Sequence, residues 1–539
     1  MTNNDIRTPG VIATQGPAAA AVAQERQAAL RPLSGAGAAQ PELGGAGLTY
    51  RHDWGLRRGE WTLQLDWPDV NPRSQVFVSI GEGAPGGPDA GKFVGAARFN
   101  LHNVAPRAGG VDIRVNVEWE ADIALYADYL VVNPADVSGR TVQVTVQRHT
   151  TVPLSDADAD RILGAMGAVL QSADSASDSA TRLRFVRNGP VQLLPANVPG
   201  TIQTEADLMA LLDAGTGVKI VQAIRWCGDP GGSIIGCAPV GSPAVNLAAV
   251  RFTESQEGIL WVHEYGHNAG LGHRTDDTRA IMYPSIGTDH NVVNAAESER
   301  FLNGPLAVSG AVMASSCALG VAIQPPKDVR EFVSQHWIQG VPYQAASHYT
   351  EEDAKLLLEW LVSEPGQHEE FLPEIVTTLG FIGSELAVQP LIDFMHTVRA
   401  SRAVFNAKNA VLIHLGDLVN KSGNQVALAF LTKVATDTAT ATSLAVPRAA
   451  IAAAEAAVAG VAAPSVETLA AELAVSATFG LALAGRPEAE QAIAGLQGGS
   501  TGFAAVHAAA AEALQLSQTV RAAGQEGYYR MKCEGDKHP

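Results

Sequence analysis

The stretch 263-HEYGHNAGLGHRTDDTRAIMYP-284 decides how the middle of this chain folds. Apolar residues 259–262 lead into it, so its first half continues a helix. Residues four apart share a helix face, so His263 and His267 present two ring nitrogens to one point, with Glu264 beside them. Gly270 then ends the helix. A glycine there turns the chain back with the least strain and brings His273 round as a third ligand. Three neutral imidazoles with an open fourth position are the donor set of a catalytic zinc site rather than a structural one. The expectation is a single catalytic Zn2+ that acidifies a bound water and polarises a carbonyl, with Glu264 as general base.

The flanks of this stretch read as mixed α/β over about 140–325. Residues 142–146 alternate as a strand, and further strands are expected at 182–185, 219–225 and 244–252. Between them, 155–173 reads as a helix with Ser155 as N-cap and acids in its first turn. Ile162, Met166, Val169 and Leu170 would line its inner face. Asp156, Asp158 and Asp160 invite a calcium reading. An EF-hand loop needs Gly at its sixth position and Glu at its twelfth, and those positions hold Arg161 and Gly167. Asp276 and Asp277 offer carboxylates to Ca2+ as well, but an exposed turn accounts for them more simply.

The pattern HExxHxxGxxH followed by a methionine resembles the metzincin clan of zinc endopeptidases, and 280-AIMYP-284 is most similar to the matrixin form of its Met-turn. The resemblance implies that His263, His267 and His273 are zinc ligands and that Glu264 is the base. It implies that Met282 floors the site and that Pro284 to Ile286 wall the pocket beyond the cut bond. It further implies a closing helix over 291–304 and a cleft-edge strand within 233–240 that pairs with an extended substrate. Two features depart from the matrixin pattern. Arg274 stands where serine is usual, and no cysteine switch precedes the motif, since the first cysteine is Cys227.

Upstream, 61–67, 75–80 and 111–119 alternate in the strand manner, the last with Val111, Ile113, Val115, Val117 and Trp119 on one face. Turn-rich segments separate them, as in a small β-sandwich. Residues 18–30 read as a short helix in an Ala-, Gly- and Pro-rich leader. Downstream of about 345 the spacing is helical at 356–361, 375–381, 387–394, 411–419 and 426–434. VTTLGFIGS at Val376 and VLIHLGDLV at Val411 repeat a Leu-Gly pair at an offset of about 35 residues. The stretch 478-TFGLALAGRPEAEQAIAGL-496 reads as a degraded copy. This pattern resembles HEAT-type helix-pair repeats.

The fold class expected is therefore multidomain: an N-terminal β-sandwich, an α/β metzincin-like catalytic domain and a C-terminal all-α helical-repeat solenoid. The boundaries are a low-complexity leader at 1–47, the sandwich at 48–138, the peptidase domain at 139–325, a linker at 326–345, the repeats at 346–530 and a tail at 531–539. A formal net charge of −18 over 539 residues argues against nucleic acid as a partner. The N-terminal residues lack the basic and apolar regions of a signal peptide, and no run reaches the ~18 apolar residues of a membrane span. The default location is the cytoplasm, with export by another route left open. Cys227 and Cys237 flank a turn-rich segment and are either a local disulfide or a reduced pair; Cys227 is also weighed as a thiolate on the zinc. The functional expectation is a zinc endopeptidase acting on protein or peptide substrates, its repeats recruiting substrate or a regulatory protein. The alternative is an inactive descendant that serves as a HEAT-type binding scaffold.

Overall fold

The structure is a computed structural model that describes residues 23–28, 47–67, 70, 72, 74–84, 91–107, 109–132, 140–172, 175, 182–305, 312–313, 323–362, 366–499 and 502–535. The chain divides into two units, Met1–Gly139 and Arg140–Pro539.

In the first unit, Gly110–Glu118 runs antiparallel between Gly59–Asp66 and Arg98–Arg107. Gly47–Arg57, Ile123–Val132, Gln75–Gly83 and Lys92–Phe93 form a second antiparallel sheet. Successive strand side chains point to opposite faces, so Leu63, Leu65, Val111, Ile113, Val115 and Val117 turn one way together. They share one core with Trp54, Leu125, Tyr129 and Val131 of the second sheet. Trp119 does not join them and is 44% exposed, because the strand ends at Glu118. The helix expected at 18–30 is instead a strand, Ala23–Ala28, parallel to Trp61–Asp66. Pairing along an open sheet edge outweighs the good helix propensity of Ala, Gln, Glu and Arg, which over so short a segment amounts to little. The remainder of the expected leader, up to 46, lies outside the described residues.

The second unit is mixed. Gln192–Leu193, Val146–Arg148, Gly217–Val221 and Asn246–Val250 are parallel neighbours in that order, and Gly236–Cys237 closes the edge antiparallel to Asn246–Val250. Gly217–Val221 is buried throughout, as expected of a parallel strand covered on both faces. The helix Asp156–Leu170 has the expected Ser155 cap, in a capping box with Asp158. Asp156 and Asp160 pair with Arg187 rather than forming a cation site: Asp160 lies 2.9 Å and Asp156 3.2 Å from that guanidinium. The helix packs against Glu257–Asn268, which carries the histidine motif.

The C-terminal part is helical. Leu372–Ile382, Arg402–Ser422 and Val466–Ala484 are the most buried helices and stack in succession, with Ala504–Gly535 against the last of them. The repeated glycines Gly380, Gly416 and Gly480 lie at these helix contacts. Thr438–Ala459 and Val466–Ala484 are long and apolar enough to cross a membrane by length and composition. However, 78% of the apolar window of Val466–Ala484 is buried inside the protein, as in a core helix.

The stretch 326–345, expected to be a linker, is part of the fold. It holds the helix Val329–Val333, the strand His336–Trp337 and the helical turn Tyr343–Ala346. Val329, Phe332, Val333, Trp337 and Ile338 are at most 1% exposed. Each element is too short to show a period.

Candidate metal centre

The helix Glu257–Asn268 is buried along its whole length, so its polar side chains are positioned by protein rather than by water. Asn268 fixes its C-terminal end to the sheet: Asn268 Oδ1 accepts from Asn246 N at 2.7 Å, and its amide donates to Asn246 O at 3.1 Å. The chain then turns at Gly270, whose φ of +82° favours glycine. Leu271 N closes the turn on Gly266 O at 2.9 Å.

This turn brings the three histidines together as the spacing predicts. His263, His267 and His273 are buried, and one ligand atom of each lies within 4.8 Å of the others. His263 Nδ1 meets Ile281 O at 2.8 Å and His267 Nδ1 meets Leu271 O at 2.9 Å. Each Nδ1–H therefore donates to a carbonyl, which fixes the tautomer and leaves Nε2 as the ligand atom. The two Nε2 atoms stand 3.0 Å apart. Burial and the neighbouring rings push His263 well below the usual imidazole range and His267 down to about 3. Neutral imidazole is the form that binds a metal. The donor set, its convergence and its held tautomers all fit a single metal ion.

Glu264 is fully buried beside them. Burial raises its carboxyl well above the usual range, opposed by a hydrogen bond from Gln339. Its Oε2 has no hydrogen-bond partner among the described residues. Gly236, on the sheet edge, makes room for it: a β-carbon there would stand 2.3 Å from Glu264 Oε1. Met282 is buried, and Gly266 packs on it with room for no more than hydrogen. A β-carbon at Gly266 would stand 2.4 Å from Met282 Sδ. Arg274 also has a structural task. Its Nε pairs with the buried Glu297 at 2.8 Å and its Nη2 donates to Val292 O at 3.0 Å, tying the third-ligand turn to the helix Ala295–Asn303. Asp276 faces Arg274 and Asp277 accepts from Arg279 N, so neither is arranged around a cation.

Pro284, Ser285 and Ile286 are buried, with Ser285–Ile286 paired antiparallel to His336–Trp337, and Gly236–Cys237 is the edge of the sheet. Cys227 and Cys237 are joined in a disulfide across ten residues, which removes Cys227 as a ligand and secures the edge strand. Replacing Cys237 by Ser should lower the unfolding free energy by roughly 2–3 kcal/mol, because a short closed loop is released. The readout is the urea midpoint without reductant, and an unchanged midpoint would show that the bridge contributes nothing.

One residue of the centre gave no signal in the sequence. Gln339, from the segment expected to be a linker, donates from Nε2 to Glu264 Oε1 at 2.8 Å, and its Oε1 lies 2.9 Å from His273 Nε2. Nothing local marks a lone glutamine some 70 residues past the motif. Neither a comparison with protein-family models nor one with curated proteins finds a match, so the reading of this centre rests on its own residues.

Proposed function

We propose that the chain is a zinc-dependent endopeptidase of metzincin type. The observation that carries this reading is the convergence of three buried imidazoles on one point, two of them with tautomers held by backbone carbonyls, with a buried carboxyl group beside it. Nitrogen-only donors suit zinc. A zinc ion held there would supply Lewis acidity to a water and to a carbonyl oxygen. The protein's own parts are then assigned as follows. Glu264 takes the proton of the attacking water and passes it to the leaving nitrogen. Met282 and Gly266 set the height of the ligands from below. Pro284 and Ile286 wall the pocket, and the Gly236–Cys237 edge pairs with an extended peptide backbone, as sheet edges do.

The helical part supports a HEAT-type reading through its three stacked, glycine-bearing helices. Its recruiting surface is not wholly open. The helix Arg402–Ser422 packs on the strand Pro230–Ile234, with Ala410 directly against Gly232, so part of the repeat surface braces the cleft edge. A buried disulfide in that edge fits an oxidising compartment better than the cytoplasm. Metal analysis tests the core of the proposal. The purified wild-type chain should carry stoichiometric zinc and His263→Ala should lose it. Equal zinc in both chains, or none in the wild type, defeats the reading.

A further inference from the structure

The segment between Ser285–Ile286 and the Gly236–Cys237 edge, which the proposed function takes as the slot for a peptide, belongs to the protein's own chain. His336–Trp337 pairs antiparallel with Ser285–Ile286, Ser285 opposite Trp337 and Ile286 opposite His336. Ile338 N donates to Pro284 O at 2.9 Å. On the other side, Ile338 O accepts from Ile235 N at 2.8 Å and from Gly236 N at 3.2 Å. The segment therefore hydrogen-bonds to both the pocket wall and the sheet edge, as an extended peptide lying between them would. Trp337 and Ile338 anchor it, at 1% and 0% exposed. Gly340, at a φ of +97°, turns the chain away immediately afterwards.

Between anchor and turn stands Gln339, 2% exposed. Among the described residues, every hydrogen bond of its side chain goes to the centre: Nε2 to Glu264 Oε1 at 2.8 Å and to His267 Nε2 at 3.3 Å, and Oε1 to His273 Nε2 at 2.9 Å. A glutamine serving only the core would show bonds elsewhere. The amide NH2 therefore faces Glu264 and His267, and the carbonyl oxygen faces His273. That oxygen is a neutral hard donor suited to a metal ion but weaker than a thiolate or carboxylate. The same side chain covers the base and takes the place a water needs.

We infer that Gln339 occupies the open coordination position of the metal centre and that residues 336–340 are an internal occupant of the substrate slot, holding the chain latent. This inference rests on the zinc-hydrolase reading.

Cobalt(II) substitution of the full-length chain tests both. The wild type, Gln339→Ala and Gln339→Glu are each loaded with cobalt, and the visible spectrum and the affinity for acetohydroxamate are measured. A site blocked most of the time lowers apparent affinity in proportion to its open fraction, so Gln339→Ala should bind hydroxamate at least about tenfold more tightly than wild type, with a changed spectrum. Gln339→Glu, equal in size and carrying an anionic oxygen, should keep hydroxamate as weak as wild type. Stoichiometric cobalt with the same spectrum and hydroxamate affinity in wild type and Gln339→Ala overturns the inference alone, as does a Gln339→Glu chain as open as Gln339→Ala. Failure of the wild type to bind stoichiometric cobalt overturns the zinc-hydrolase reading and this inference with it.

Discussion

Glu264→Gln, made in a chain already carrying Gln339→Ala, should slow hydrolysis of a fluorogenic peptide by about 10²- to 10⁴-fold, the usual contribution of a positioned acid–base group. The exchange keeps the size of the side chain. The space opened by Gly236, where a β-carbon would stand 2.3 Å from Glu264 Oε1, serves an amide as well as a carboxylate. The ligands are held independently of Glu264, by Ile281 O on His263 and by Leu271 O on His267. Zinc content should therefore stay stoichiometric while the rate falls, which separates loss of the base from loss of the metal. The Gln339→Ala background matters because Glu264 Oε1 is otherwise covered by the Gln339 amide. Equal rates with Glu and Gln at 264, zinc being present in both, would remove Glu264 from the chemistry.

How much of this centre was legible follows from the range of the interactions. His263, His267 and Glu264 are related by the helical period, Gly270 by the need for a turn, and Met282 by a short loop. All of them are local geometry that a sequence displays. Gly266 stood inside the motif, but its reason for being glycine is Met282 Sδ beneath it, a contact only the fold reveals. Arg274 looked like a departure from pattern until Glu297 appeared as its partner across the turn. Gln339 was illegible for a plain reason. It is one uncharged residue between short elements, and its meaning lies in contacts 66 to 75 residues back. The same limit explains the misread strand at Ala23–Ala28 and the outward Trp119, where pairing along a sheet edge and a strand's end decide. The repeat glycines lie between these cases. Their recurrence was visible, whereas the contact that requires them was not.

Gly416→Ala and Gly480→Ala should each destabilise the second unit by about 3 kcal/mol or more, the upper end of what overpacking usually costs. The two glycines meet at one helix crossing. A β-carbon at Gly416 would stand 2.0 Å from Gly480 O, and one at Gly480 would stand 2.0 Å from Leu412 O. Both obstacles are carbonyls of helix backbone, which no side-chain rotation can relieve. The helices themselves would have to part, pulling at the Ser476–Asn409 hydrogen bond of 2.7 Å and at the burial of Leu412, Leu415 and Leu473. Intrinsic propensity pushes the other way, since alanine is better than glycine in a helix by about 1 kcal/mol. Gly164 supplies the contrast: it is exposed in the helix Asp156–Leu170 with nothing near its missing β-carbon. Gly164→Ala should raise the urea midpoint while Gly416→Ala lowers it. The opposite signs separate packing from propensity, and a Gly416→Ala chain that gains stability as Gly164→Ala does would mean that these helices do not touch. The consequence reaches the cleft, because Arg402–Ser422 also sets Ala410 against Gly232 beside the edge strand. Moving that helix loosens the edge that residues 235–236 offer to Ile338. A destabilised crossing should therefore also bind hydroxamate more tightly in the cobalt-loaded chain, even with Gln339 in place.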